Sequence, residues 1–285
     1  MSKNGRGVAL VTGASSGIGA ASAERLARAG FTVFGTSRRV VQAVQRPFEM
    51  LILDVTDDAS VQSSVDEVVR RAGRIDLLVN NAGFGVAPAG AEESSIEQVQ
   101  SIFNTNFLGV VRMTRAVLPH MRRQGSGRIV NIGSVLGFLP MPYGALYSAT
   151  KHAIEGYSES LDHEVRTQGI RVSIIEPAYT KTPFDANFME PDRKLEVYQQ
   201  ARDVVTQRVN AVMATATEPA VVADVVLKAA IAVHPKRRYT AGALAARLRW
   251  LRGFAPESVL DAALRKDLRL DTISVTRSGD AALEQ

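Results

Sequence analysis

The chain has 285 residues, with 34 Lys and Arg against 29 Asp and Glu, and nearly half of its residues are apolar. That length holds one large α/β domain or two small ones, and the composition is that of a soluble globular chain. The absence of cysteine excludes disulfides and thiolate metal sites. The four histidines, His120, His152, His163 and His234, lack metal-ligand spacing, so no metal is expected. The net charge of +5 is mild, and its scattered basic residues form no stripe interleaved with aromatics, so nucleic acid is not an expected partner. The first residues are short of an apolar signal core, and no window reaches 18 apolar residues. A cytoplasmic enzyme without a transmembrane span is the expectation.

Residues 7–12, Gly-Val-Ala-Leu-Val-Thr, read as a buried parallel strand. They run into Gly13-Ala14-Ser15-Ser16-Gly17-Ile18-Gly19, then a helical pattern over 20–29 closed by Gly30. Strand, glycine-rich turn and helix in that order suit a pyrophosphate. Glycine lets the backbone approach it, and the helix N-terminus supplies free N–H groups and a favourable dipole. A second strand over 31–36 ends at Ser37-Arg38-Arg39. An NAD-preferring site places an acid there for the ribose hydroxyls. A guanidinium instead suits the 2′-phosphate of NADP, although two arginines also serve a plain surface turn.

A third strand over 49–55 carries Asp54 near its end. Asp57 or Asp58 caps a helix with Val61, Val65, Val68 and Val69 at helical spacing, stopped by Gly73. A fourth strand over 75–80 leads into Asn80-Asn81-Ala82-Gly83. A long helix over 95–120 contains Asn104 and Asn106, and a fifth strand over 128–133 ends at Ser134. After a loop, a helix over about 146–165 carries Tyr147 and Lys151. A sixth strand over 170–175 ends in Glu176-Pro177-Ala178-Tyr179-Thr180-Lys181-Thr182. Residues 183–217 read as a mobile helical lid, 218–233 as a helix and 237–240 as a short last strand. Residues 241–270 read as one or two amphipathic helices, Pro256 starting the second, and the tail from Asp271 is expected to fray.

This alternation predicts an α/β fold: a doubly wound, Rossmann-type parallel sheet with helices on both faces. One domain over 1–285 is expected, with a core over 6–182, a lid over about 183–217 and a C-terminal helical extension over about 237–285. Ligands of such sheets bind outside the carboxyl ends of the strands, and Gly13, Ser134 and Thr180 all lie at such ends.

Tyr147 and Lys151, four apart on a helix, share a face. A phenol titrates near 10, too high for acid–base work at neutral pH, and a neighbouring ammonium lowers that value. The pair suits proton exchange with a carbonyl or alcohol oxygen, but by itself it also fits a half-buried tyrosine beside a surface lysine.

The segments from Thr12 to Gly19, Asn80-Asn81-Ala82-Gly83, Asn106, Ser134, Tyr147 with Lys151, and 177–182 occur in an order and spacing that resembles the short-chain dehydrogenase/reductase family. The resemblance covers about 6–182, with an extension through 233. The surroundings of Tyr147 and the Arg237-Arg238-Tyr239 segment resemble its branch of 17β-hydroxysteroid and retinol dehydrogenases. It implies an NADP(H)-dependent oxidoreductase in which Tyr147 exchanges the proton with the substrate oxygen. Lys151 would lower the Tyr147 pKa and hold the nicotinamide ribose, and Ser134 would hydrogen-bond the substrate oxygen. Asn106 would place a water linked to Lys151 and disturb its own helix. Gly13, Gly17 and Gly19, with Ser15, Ser16 and Ile18, would form the pyrophosphate turn. Asp54, with Val55, would contact the adenine. Asn81, with Ala82 and Gly83, would touch an adjacent part of the cofactor. Thr180 and Thr182, with Pro177, would lie near the carboxamide and phosphates, and Arg38 would bind the 2′-phosphate. Ala178 departs from the glycine often found there. The resemblance also implies a homo-oligomer built on the 95–120 and Tyr147 helices.

Phe84, Val86, Phe138, Leu139, Met141, Tyr143, Tyr179, Phe184, Phe188 and Met189 are candidate pocket residues, mostly apolar. They favour a hydrophobic ketone, aldehyde or alcohol as substrate. Residues 243–254 carry Arg247, Arg249 and Arg252 beside Leu244, Leu248, Trp250, Leu251 and Phe254. Such a helix can lie on a membrane surface or pack on the lid with solvated arginines. A cofactor-binding redox sensor or an interaction protein without turnover is the alternative to an enzyme.

Overall fold

The computed structural model of the chain describes residues 5–39, 45–183 and 188–272. Strand β1 (Val8–Val11) is buried along its whole length, as an apolar run is in a sheet covered on both faces. Around it stand β2 (Thr32–Ser37), β3 (Glu49–Ile52), β4 (Leu77–Asn80), β5 (Gly127–Ile132), β6 (Ile170–Pro177) and β7 (Arg238–Ala241). All run parallel, in the order β3-β2-β1-β4-β5-β6-β7, with Leu10 in register between Phe34 and Leu78. Strand order reverses between β1 and β4, which opens a crevice at their carboxyl ends.

Successive strand side chains point to opposite faces, and the two cores divide accordingly. Ala9 and Val11 share one core with Leu26 of α1 (Gly17–Arg28) and Val222 and Val226 of α7 (Pro219–Ile231). Val8 and Leu10 share the other with Val65 of α2 (Asp58–Ala72), Met113 of α4 (Gly109–Gln124) and Leu161 of α5 (Ala145–Val165). Helix α2 starts at Asp57, whose carboxylate accepts from Ser60 N at 2.9 Å, and stops at Gly73 in the left-handed region (φ 74°).

The helix expected over 95–120 is interrupted. Helix α3 (Ile96–Phe103) passes into α4 through a wide π-helical turn at Asn104–Leu108. Within it the Asn106 amide accepts from Phe84 N at 3.0 Å and donates to Phe84 O at 2.8 Å, so a neighbouring loop is pinned where the turn widens. Strand β3 stops at Ile52, short of residue 55. The Asp54 carboxylate accepts from Thr56 N at 2.9 Å and Thr56 Oγ1 at 2.7 Å, which turns the chain out of the sheet.

Helices α6 (Gln199–Met213), α8 (Ala243–Phe254) and α9 (Glu257–Asp267) stand at the carboxyl edge of the sheet, with Pro256 capping α9. The stretch expected as a lid is tied down at three places. Val86 bridges Met189, Thr180 bridges Thr217, and buried Glu93 pairs with Arg202 on α6. Phe184 and the tail beyond residue 272 lie outside the described residues. No helix among the described residues is long and apolar enough to cross a membrane.

Candidate active site

The turn after β1 is held from both sides. Asn81 Nδ2 donates to Thr12 O at 3.0 Å and Gly13 O at 3.1 Å, and Thr12 Oγ1 accepts from the main-chain N–H groups of Asn81 and Ala82. Arg46 donates to Ala14 O at 3.0 Å and Ser15 O at 3.2 Å. Side chains thus take up the carbonyls of the turn. At the start of α1, by contrast, Ser16 makes no side-chain cap and the first turn carries no acid, so the helix offers its N–H groups to an anion. Gly13 and Gly17 have φ of 65° and 57°, and a Cβ on Gly17 would come within 3.2 Å of Thr182. These features fit a dinucleotide pyrophosphate. Arg38 and Arg39 close this end of the crevice, both exposed, with no acid at the end of β2.

At the other end, α5 presents Tyr147 and Lys151. The Lys151 ammonium lies 5.5 Å from the Tyr147 ring centroid and donates to Ile132 O at 2.8 Å. Burial lowers the Lys151 pKa to about 8, against the opposing charge of Glu155. Because that value is still above 7, the group is mostly an ammonium at neutral pH. Ser134 follows β5 and accepts from Leu136 N at 3.1 Å, starting a short turn at Val135–Gly137.

One cavity of about 1550 Å³ joins the two ends. Its wall includes Gly13, Ser15, Ser16, Gly17, Ile18, Arg38, Val55, Asn81, Ala82, Gly83, Ser134, Tyr147, Lys151, Pro177, Thr180 and Thr182. Three expected residues are not on that wall. Gly19 is buried behind the turn, where a Cβ would fall 2.2 Å from Gly13 O, so glycine permits the close packing there. The Asp54 carboxylate is engaged by Thr56, and the Asn106 amide by Phe84 and Thr150. Among the apolar candidates, Phe138 turns away from the cavity into a cluster with Val135 and Ala245, whereas Phe84, Val86, Leu139, Met141, Tyr143, Tyr179, Phe188 and Met189 line it.

Sequence reasoning missed a buried acid pair behind Lys151. Glu155 lies one turn further along α5, and Glu176 closes β6 just before Pro177. Arg238 donates to Glu155 Oε2 at 2.9 Å, and Arg249 of α8 lies 3.4 Å from Glu176 Oε1 and 4.7 Å above the Phe138 ring. Arg249 therefore points inward, opposite to the solvated face expected of that helix. Glu155 Oε1 and both Glu176 oxygens make no hydrogen bond to a donor among the described residues, and Glu176 Oε1 is met only by the charges of Arg249 at 3.4 Å and Arg238 at 3.7 Å. A carboxylate only accepts, so a hydrogen bond between the two acids requires that one of them carry a proton. Burial, reinforced by the charge of Glu155, pushes the Glu176 pKa up to about 7, and burial moves Glu155 in the same direction. The charge four residues after Lys151 was the only sequence signal of this pair.

A measurable consequence follows from proton linkage. The folded chain holds a proton that the unfolded chain releases above about 4.5, so the wild type loses stability as pH rises from there to about 7. In Glu176→Gln that loss is expected to vanish. The unfolding free energy of the variant minus that of the wild type should rise by about 2–3 kcal/mol across this window. A pH-independent difference would show that the acids do not share a proton.

A doubly wound parallel sheet with a glycine turn at one end of its crevice and a Tyr-Lys pair at the other defines a dinucleotide-binding oxidoreductase. The chain belongs to the short-chain dehydrogenase family, whose profile matches residues 7–193. It is 43% identical over 180 residues to a 3-ketodihydrosphingosine reductase of Bacteroides thetaiotaomicron, covering 63% of this chain and 66% of that one. It is 35% identical over 277 residues to an uncharacterised oxidoreductase of Bacillus subtilis, covering 92% and 98%. Among solved structures, a short-chain dehydrogenase from Streptomyces avermitilis superposes with a TM-score of 0.77 at 34% identity, covering 95% of this chain and 99% of that one. A serine dehydrogenase complexed with NADP+ (TM-score 0.70, 28% identity, 82% and 93% covered) and a Burkholderia phymatum enzyme in complex with NAD (0.74, 26%, 87% and 94%) are also similar.

Proposed function

We propose that the protein is an NADP(H)-dependent oxidoreductase that interconverts a hydrophobic ketone or aldehyde and its alcohol. The observation that carries this reading is the single cavity, with an anion-binding turn and two arginines at one end and Tyr147, Lys151 and Ser134 at the other. Bound NADPH supplies the hydride. Tyr147 gives its phenolic proton to the carbonyl oxygen, and the Lys151 ammonium stabilises the phenolate left behind. The Ser134 hydroxyl hydrogen-bonds the same oxygen. Asn106 acts as a positioning residue that fixes the Phe84 loop against α5. Thr180, Thr182 and the glycine turn hold the cofactor's middle, and Arg38 with Arg39 takes the 2′-phosphate. The mostly apolar wall selects the substrate, consistent with a relative named for reducing a ketone.

The same reading places the enzyme in the cytoplasm as a homo-oligomer. Its contact surfaces are the interrupted helix over 95–120 and α5, where Ala149 and Gly156 stand exposed and Leu108, at the end of the π turn, is 42% exposed. Contact with a membrane surface is assigned to Trp250 and Phe254, whose tilted rings lie 5.4 Å apart on the exposed side of α8.

The test is consumption of NADPH and of NADH with a panel of hydrophobic ketones. NADPH should be preferred. Arg38→Asp should raise the KM for NADPH about 10–100-fold, the worth of one charge-assisted contact, and should not weaken NADH. Equal use of both cofactors by the wild type would overturn the Arg38 assignment. Tight cofactor binding with no turnover on any carbonyl would favour the sensor.

A further inference from the structure

We infer that the cavity continues beyond the Tyr147 end into a chamber that binds an unbranched aliphatic chain, so that the preferred substrates are long-chain ketones. This rests on the carbonyl-reductase reading above and specifies its substrate class. The chamber lies between α6, α8 and α9, with Val209 and Val212, Leu248 and Leu251, and Leu260 and Leu264 on its walls. At about 1550 Å³ the whole cavity exceeds the roughly 300–1,000 Å³ of an ordinary ligand pocket, which leaves room for more than a dinucleotide.

Helix α9 supplies the clearest sign. None of its residues is fully buried, and within it only Leu260 and Leu264 are half-buried. They sit four apart, and the stripe they form borders the cavity. Leu264 also packs against the small cluster of Val205, Val209 and Leu268, so the helix is anchored at that end while Leu260 and Leu264 face the cavity.

The chemistry of the walls selects the ligand. Among the described residues that α6, α8 and α9 contribute, none is aromatic and none has a neutral hydrogen-bonding side chain. The uncharged side chains that these three helices present are all aliphatic or thioether, and rings reach the cavity only from other segments, Tyr143 among them. The charges balance as well. Arg208 is bound to Asp267 by two contacts of 2.7 and 3.0 Å, and the wall carries Arg247 and Arg252 alongside Glu257 and Asp261, equal numbers of each sign. A neutral hydrocarbon chain is the partner such a wall fits.

Binding and turnover are tested side by side. Titration calorimetry with 1-hexanol, 1-octanol, 1-decanol and 1-dodecanol should give dissociation constants that fall two- to fourfold per added methylene, near the limit set by burying one CH2. Cyclododecanol, with equal carbon count, should bind at least tenfold more weakly than 1-dodecanol. Leu264→Trp, and Val212→Phe as a second variant should the first not fold, should each cut the dodecanol-to-hexanol affinity ratio at least tenfold. Dissociation constants independent of chain length, or cyclododecanol binding as well as 1-dodecanol, would overturn the chamber whatever the enzyme does. The matching 2-ketones are then assayed with NADPH. Chain-dependent alcohol binding with no ketone turnover would leave the chamber standing and remove the reductase reading.

Discussion

Tyr147→Phe is expected to lower kcat for ketone reduction by about 10²–10⁴-fold while NADPH binding stays within about threefold of the wild type. The ring keeps its volume and its place on α5, so the fold loses only a hydroxyl. The reaction loses its proton donor. Lys151 cannot take over. It lies 5.5 Å behind the ring, is 8% exposed and already donates to Ile132 O. Its pKa of about 8 keeps it an ammonium at neutral pH, which is the form that stabilises a phenolate. Steady-state rates paired with cofactor fluorescence titrations separate the two effects. A variant within tenfold of the wild type would mean that another group or water supplies the proton.

The second large effect concerns stability. Glu93 is fully buried, with Oε2 accepting from Gly90 N at 2.7 Å and Oε1 accepting from Leu195 N at 2.7 Å and from Arg202. Arg202 also donates to Leu195 O at 3.0 Å and Gln199 Oε1 at 2.6 Å. One ion pair thus ties the loop after β4 to α6. Arg202→Met fills similar space but leaves a buried carboxylate without its counter-charge, and should cost about 3–5 kcal/mol. Arg265→Met breaks an exposed pair with Asp271 (47% and 67% exposed side chains) and should cost less than about 1 kcal/mol. Urea unfolding of both variants checks the contrast. Equal losses would mean that the Glu93–Arg202 pair does not hold α6.

Much of this architecture is written locally. A buried strand shows as an apolar run, and a phosphate turn needs glycines at fixed spacing beside a helix start. The sheet and the cavity wall from Gly13 to Thr182 were therefore legible. What escaped depends on contacts far apart in the chain. Glu155 and Glu176 read as unrelated acids until Arg238 and Arg249 converge on them from 83 and 73 residues further along the chain. Gly19 and Asp54 carry the right motif, but their packing against Gly13 and the two bonds from Thr56 to Asp54 Oδ1 show only in the fold. Asn106 showed as a helix-disturbing residue, but its partner Phe84 did not. Phe138 has the polarity of a pocket residue, and the guanidinium of Arg249 over its ring marks it as part of the α8 contact instead. The apolar stripe of α9 was visible, but only the fold shows that it borders a chamber.

The most direct test follows a labelled hydride. NADPH carrying deuterium at both C4 positions is incubated with 2-dodecanone and the wild-type protein, and the product is read by mass spectrometry. One deuterium on the carbinol carbon of 2-dodecanol for each NADPH consumed, and no product from Tyr147→Phe in the same time, is the predicted result. NADPH consumed without labelled alcohol, or bound and left unconsumed by every ketone offered, would contradict it.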